Sequence, residues 1–160
     1  MNIAVFPGSF DPITVGHVDL VKRAIPIFDK VIVAVGVNTQ KSTLFTLQQR
    51  LDWLQKVFCD EPKVEVSHFT GLTVNFCKEQ KARFLLRGLR NASDFDYEKT
   101  ISQLNRIIGD QLETIFLISS PEFSYISSTI VREIIKGEGN VEKFIPSVIA
   151  QDMIVAFNRK

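Results

Sequence analysis

The sequence predicts an α/β fold, a doubly wound sheet of five parallel strands with helices on both faces. Three observations predict it. Strand-like and helix-like segments alternate from end to end of the 160 residues. Several strand segments are rich in Val, Ile, Leu or Phe on both faces, as expected of strands covered on two sides. Links between segments are short, which favours right-handed crossovers and helices above and below the sheet.

The first strand is expected over Asn2–Phe6, from the apolar run Ile3-Ala4-Val5-Phe6. A helix is expected over His17–Phe28, because Val18, Val21, Ile25 and Phe28 recur at the three- and four-residue spacing of one helical face. The second strand covers Lys30–Val37, and the helix after it Leu47–Phe58. There Thr46, with Gln49 three residues on, makes a capping box. A strand over Lys63–Phe69 and a helix over Thr73–Lys81 follow. The fourth strand, Arg83–Arg87, precedes a helix over Phe95–Ile108, and the fifth, Glu113–Ile118, precedes helices over Thr129–Lys136 and Pro146–Phe157. Gly137 is expected to end the first of these last two helices in a left-handed conformation. No linker, repeat or low-complexity segment interrupts the pattern, so residues 1–160 are expected to form one domain.

Composition narrows the partners. Hydrophobic residues make up 45% and charged residues 23%, the balance of a soluble globular protein with a real core. Net charge is only +1, which leaves no broad field to attract nucleic acid or an anionic membrane. No charged-then-apolar leader opens the chain, and no apolar run approaches membrane-spanning length. These features predict a cytoplasmic protein that binds neither nucleic acid nor membrane. Cys59 and Cys77 form no CxxC or Cys/His cluster and read as buried free thiols. His68 has no metal-binding partner nearby in sequence and reads as structural, while Trp53 and most phenylalanines read as core.

In a fold of this class, ligands bind beyond the carboxyl ends of the strands where strand order reverses. The residues there are polar and cationic. After the first strand comes Pro7-Gly8-Ser9-Phe10-Asp11-Pro12-Ile13-Thr14-Val15-Gly16-His17. It brings small residues and an imidazole to a helix start, where unpaired N–H groups and the positive dipole end suit phosphate. It is neither the GxGxxG dinucleotide fingerprint nor a P-loop. Lys41 follows the second strand, and Arg87-Gly88-Leu89-Arg90 closes the fourth. Guanidinium forks match phosphate oxygens in a two-bond geometry. Asp94 and Glu98 lie downstream near a helix start, where they also complement the dipole. Phe123-Ser124-Tyr125-Ile126-Ser127-Ser128-Thr129 leads into the next helix, its hydroxyls suited to capping or to a polyphosphate. No Ser/His/Asp or Cys/His set recommends a covalent nucleophile, and no zinc spacing occurs.

Taken together, these residues resemble a known family. The run from Gly8 to His17 is similar to the first signature of the nucleotidyltransferase superfamily, in its TxGH form. Ile126-Ser127-Ser128-Thr129 with Arg132 is similar to the second. Arg87-Gly88-Leu89-Arg90 followed by Asp94-Phe95-Asp96-Tyr97-Glu98 narrows the resemblance to the bacterial phosphopantetheine adenylyltransferase family, and it covers nearly the whole chain. The resemblance implies a Rossmann-like nucleotidyltransferase fold. It also implies transfer of the adenylyl group of ATP to 4′-phosphopantetheine, giving dephospho-coenzyme A and pyrophosphate by in-line attack without a covalent intermediate.

By matched position, the resemblance implies His17, Lys41 and Arg90 as catalytic residues, and Ser9, Lys41, Thr73 and Arg87 as binders of phosphopantetheine. It implies an ATP pocket of Ser9, Phe10, His17, Gly88, Leu89, Arg90, Glu98 and Phe123, Ser124, Tyr125, Ile126, Ser127, Ser128 and Thr129. Mg2+ is implied as a cofactor held mainly by ATP phosphates and water, and no residue is singled out as its ligand. A homohexamer is implied, with coenzyme A as a feedback inhibitor. Ser9 stands where Thr is frequent, and Thr73 at an often apolar position. Nicotinate-mononucleotide adenylyltransferases share the first and last signatures, but more typically carry His at position 14 and give no reason for the Arg87–Glu98 constellation. A non-catalytic nucleotide sensor on the same fold would lack His17 or the phosphate-binding cations, and all are present.

Overall fold

The computed structural model describes residues 1–38, 40 and 42–158. Its elements, in chain order, are β1 (Ile3–Gly8), α1 (Val15–Ala24), β2 (Lys30–Val37), α2 (Leu47–Val57), β3 (Val64–Thr70), α3 (Thr73–Glu79), β4 (Phe84–Leu89), α4 (Ala92–Ile108), β5 (Glu113–Ile118), α5 (Ser128–Lys136) and α6 (Ser147–Asn158). A single 3₁₀ turn, Pro121–Phe123, links β5 to α5. The five strands are all parallel, in the order β3-β2-β1-β4-β5. The chain therefore works outward from β1 to β3, then crosses back to place β4 on the other side of β1. That reversal opens a crevice between the carboxyl ends of β1 and β4.

Alternation along the strands divides the core between two faces. Ala4, Phe6, Val31, Val33 and Val35 point to the larger cluster, under α1, α2, α5 and α6 through Val21, Trp53, Leu54, Val131, Ile149 and Met153. Val5, Ile32, Ala34 and Leu85 point to the smaller cluster, packed on Val74, Phe76 and Cys77 of α3. α4 lies on that thinner side and contributes only one buried residue, Glu98. Its Leu104, Ile107 and Ile108 are exposed.

Two helix starts carry full capping boxes. Thr46 and Gln49 form the expected one, with Gln49 N–H donating to Thr46 Oγ1 at 3.2 Å and Thr46 N–H to Gln49 Oε1 at 2.9 Å. The second, Thr14 with His17, starts α1 two residues before the point that apolar spacing indicates. Three expectations change. Gly137 is right-handed at φ −86°, and the left-handed residue is Glu138 at φ 59°. Cys59 is exposed in the turn after α2, beyond the helix that would have buried it; Cys77 is buried as expected. His68 sits on the edge strand β3 with its side chain exposed.

Candidate active site

Two clefts open at the carboxyl ends of the strands. The first, about 280 Å³, is lined by Gly8, Phe10, Gly16 and His17 from the β1–α1 region and by Arg87, Gly88, Arg90 and Glu98 around β4. Phe123, Ile126, Ser127 and Ser128 close it from the α5 side. The second, about 490 Å³, runs from Ser9 and Asn38 past Thr73 to Tyr97, Asn105 and Thr114. The two share Pro7, Gly8, Arg87 and Glu98, so they adjoin at the β1/β4 crevice. Ser9, Phe10, His17, Thr73, Arg87, Gly88, Arg90, Glu98, Phe123, Ile126, Ser127 and Ser128 thus converge as expected. Leu89, Ser124, Tyr125 and Thr129 line neither cleft, and Tyr125 is 63% exposed. Lys41 lies outside the described residues.

His17 is held by its own capping box. Thr14 N–H donates to His17 Nδ1 at 3.0 Å, and Thr14 Oγ1 lies 2.9 Å from the same nitrogen. A backbone N–H can only donate, so Nδ1 accepts and the neutral ring carries its proton on Nε2. The ring packs edge-on against Phe10 (centroids 5.1 Å apart) and tilted against Phe6 (6.1 Å). This burial, followed by the charges of Arg90 and Arg87, pushes the His17 pKa down to about 4. The imidazole is therefore a neutral Nε2–H donor at physiological pH.

A titration of the two histidine rings by imidazole NMR should show His17 changing protonation near pH 4, with its proton on Nε2 above that. A midpoint at the ordinary 6.5, or a proton on Nδ1, would contradict the assignment. The unfolded chain takes up this proton near 6.5 and the folded chain only near 4. The contribution of neutral His17 to stability is therefore complete above pH 6.5 and is lost as the pH falls toward 4.

Both arginines are positioned by carboxylates. Arg87 Nε donates to Glu98 Oε2 at 2.9 Å, Nη2 donates to Oε1, and Nη1 donates to the Pro7 carbonyl at 2.9 Å. Arg90 Nε and Nη2 donate to Asp94 at 3.0 and 3.2 Å, and the hydrogen bonds from Arg90 hold the Asp94 carboxyl below its ordinary range. Five guanidinium N–H groups exceed what one carboxylate accepts, so each fork keeps donors for a ligand. A Cβ at Gly88 would meet the Leu20 Cδ1 methyl of α1, so that side chain would have to shift.

The hydroxyls of the last signature have local duties. Ser127 Oγ caps α5 by accepting from Ile130 N–H at 3.2 Å, and Ser128 Oγ donates to the Pro12 carbonyl at 2.7 Å. Thr129 Oγ1 accepts from Arg132 Nη2 at 3.1 Å. Of the first-turn N–H groups, Val15 donates to the Phe144 carbonyl and His17 and Ile130 to their caps; Gly16 and Ser128 of the same two turns line the first cleft, where a helix start suits a phosphate.

Sequence reasoning gave no role to Thr14, although its spacing to His17 matches that of Thr46 to Gln49. It also passed over Asp11 and Arg50. Arg50 gives no signal in sequence, being one polar residue on an amphipathic helix, yet it is buried and donates to the Ser9 carbonyl at 2.7 Å. Thr114 Oγ1, facing the second cleft, is buried with no hydrogen-bond partner, alone in this among the described side chains. Also among the described residues, no three His, Cys, Asp or Glu side chains gather as a metal site.

Residues 5–134 match the family model described as cytidylyltransferase-like. The chain is similar to a phosphopantetheine adenylyltransferase of Cytophaga hutchinsonii, at 50% identity over 91% of this chain and 97% of the relative. A protein of the same name from Flavobacterium johnsoniae is 47% identical over 93% and 97% of the two chains. Another, from Caldanaerobacter subterraneus, is 42% identical over 99% of each.

Proposed function

The chain belongs to the cytidylyltransferase-like family and, within it, to the phosphopantetheine adenylyltransferases, and from that premise we propose how its residues carry out the transfer. The enzyme transfers the adenylyl group of ATP to 4′-phosphopantetheine and releases dephospho-coenzyme A and pyrophosphate. One observation carries the division of labour: two clefts meet at Arg87 and Glu98. ATP occupies the first, and the pantetheine arm lies in the second with its phosphate at the junction.

A phosphate oxygen of phosphopantetheine attacks the α-phosphorus in line. The new P–O bond forms as the bond to pyrophosphate breaks, and the electron pair leaves with pyrophosphate. The nucleophile is already anionic and needs little help from a base, so the task is alignment and charge stabilisation. His17 donates Nε2–H to the α-phosphate oxygen that gains charge. Arg87, with Lys41 and Ser9, grips the acceptor phosphate, and Arg90 faces the departing phosphates. The N-terminal amides of α1 and α5 complete the cradle, and Phe10 and Phe123 through Thr129 wrap the nucleotide, with Gly88 and Leu89 beside it. Glu98 serves that pocket by holding Arg87. Thr73 touches the pantetheine arm, and the unpartnered Thr114 hydroxyl offers the arm a polar contact.

Mg2+ would come with ATP and would offset phosphate charge. The carboxylates at the first cleft, Asp94 and Glu98, are committed to arginines, which fits a metal held by phosphate oxygens and water. The exposed apolar side chains of α4 support assembly into a homohexamer of single-domain subunits. Coenzyme A shares its adenine, diphosphate and pantetheine with the product, so as a feedback inhibitor it competes for both clefts. No helix among the described residues is long and apolar enough to cross a membrane. The two free thiols fit the reducing cytoplasm.

The test is pyrophosphate release from ATP with 4′-phosphopantetheine, run beside nicotinate mononucleotide. Turnover is expected only with the first. Turnover only with the second would reassign the substrate, and turnover with neither would leave a nucleotide sensor.

A further inference from the structure

The β1–α1 loop, the loop after β2 and the start of α5 belong to separate segments of chain, and one buried carboxylate touches all three. Asp11 is 3% exposed. Its Oδ2 accepts from Leu44 N–H at 2.7 Å and its Oδ1 from Phe45 N–H at 2.9 Å. Arg132 of α5 lies 3.9 Å from Oδ2 and donates Nη1–H to the Asp11 carbonyl at 2.7 Å. Arg50 of α2 donates to the neighbouring Ser9 carbonyl, and Ser128 Oγ to that of Pro12. Burying a carboxylate is costly unless it is paired and hydrogen-bonded, and here its two hydrogen bonds come from the loop before α2 and its ion pair from α5.

We propose that Asp11 is a positioning residue for adenylyl transfer, holding the loop after β2 in register with the two helix starts that receive ATP. The proposal rests on the two-cleft reading above. Leu44 and Phe45 lie just before the cap of α2, so the carboxylate anchors the end of the loop between β2 and α2 beside the β1–α1 loop. The Arg132 contact links the same anchor to α5, and the loop it belongs to ends at Thr14, the cap that holds the His17 ring. In-line transfer depends on the separation of these segments, because a misplacement of about 1 Å can cost roughly 100-fold in rate.

Asp11→Asn is nearly isosteric but keeps one acceptor oxygen and turns an NH2 toward one of the two amides. The variant is expected to lose about 100-fold in kcat for pyrophosphate release while its ATP Kd moves less than about threefold. At least one of the Leu44 and Phe45 amides should exchange about tenfold faster, with the amides of Ile32 and Leu86 in the central strands unchanged. A folded variant that keeps kcat within about threefold, or loses it with both loop amides unchanged, overturns the proposal. Should Asp11→Asn fail to fold, Arg132→Met replaces a side chain already 21% exposed and cuts the same link from the α5 side. A loss of about tenfold in kcat is expected there, and retained activity overturns the role. Wild-type enzyme that releases no pyrophosphate with phosphopantetheine overturns the functional reading and this role together. An active wild type beside active, folded variants overturns the role of Asp11 alone.

Discussion

His17→Ala is expected to lower kcat for pyrophosphate release by roughly 100- to 1,000-fold and to change the ATP Kd by less than about threefold. The asymmetry follows from the geometry. ATP in its ground state is bound by the helix-start amides, the arginine forks and the walls of the first cleft, and losing one neutral donor removes little of that. Charge on the α-phosphate oxygens changes most in the transition state, and there a fixed Nε2–H in a partly dry site is worth most. Thr14 orients the donor in advance by occupying Nδ1. Steady-state kinetics together with calorimetric ATP titration separates the two effects. A rate loss matched by an equal loss of ATP affinity would make His17 a binding residue, and an unchanged rate would remove it from the mechanism. The low pKa adds a second check: the pH–rate profile should show no limb near 6.5 owing to His17.

Arg87→Ala is expected to weaken phosphopantetheine far more than ATP, with roughly a 100-fold rise in KM for the former and under about fivefold for the latter. Arg87 lies at the junction of the clefts and lines both, but Arg90 and the two helix starts remain for the nucleotide. The opposite ranking would move Arg87 to the ATP side. Stability falls as well, because Glu98 is buried and loses both partners on the guanidinium. Arg87 is itself about one-third exposed, so water partly replaces it and the loss is about 2 kcal/mol. Adding Glu98→Gln to Arg87→Ala removes the stranded charge. The double variant should recover most of the stability in urea denaturation and none of the acceptor affinity. Recovery of both would mean that Arg87 acts only by folding the site. Arg87→Lys keeps the charge and loses the fork, and should fall between the wild type and the alanine variant in both readouts.

The parts of this site that were legible in sequence are those in which the chemistry lies within a few residues. Gly8 to His17 is one loop and one helix start, so its anion-binding character can be read from residue types and spacing. Arg87 to Arg90 ends an apolar strand, so topology sends it to the same edge. The capping of α2 by Thr46 was legible because both partners lie within one turn. The same local signal was present at Thr14 and would have placed the start of α1 and oriented His17. Arg50, Asp11 and Arg132 were not legible as a group, because their bonds join segments separated by tens of residues. Cys59 was misjudged for a simple reason: α2 ends at Val57, and the turn beyond it carries the thiol into solvent. At Gly137 the residue type suggested a left-handed end, but Gly137 caps the helix with a right-handed φ and Glu138 just beyond it takes the positive φ.

The sequence by itself determined the layered α/β architecture, the order of its elements and the edge of the sheet where chemistry gathers. Those follow from periodicity and from residues adjacent in the chain, and periodicity is a local property. Tertiary structure alone decided that β4 lies beside β1, which makes two clefts adjoin at Arg87. It also decided that Glu98 and Asp94 spend their charge on aiming arginines, that burial keeps His17 a neutral donor, and that Asp11 binds three segments at one point. Each of these depends on distances between groups far apart in sequence and on how much water the fold leaves around them. Neither quantity exists until the chain has closed on itself.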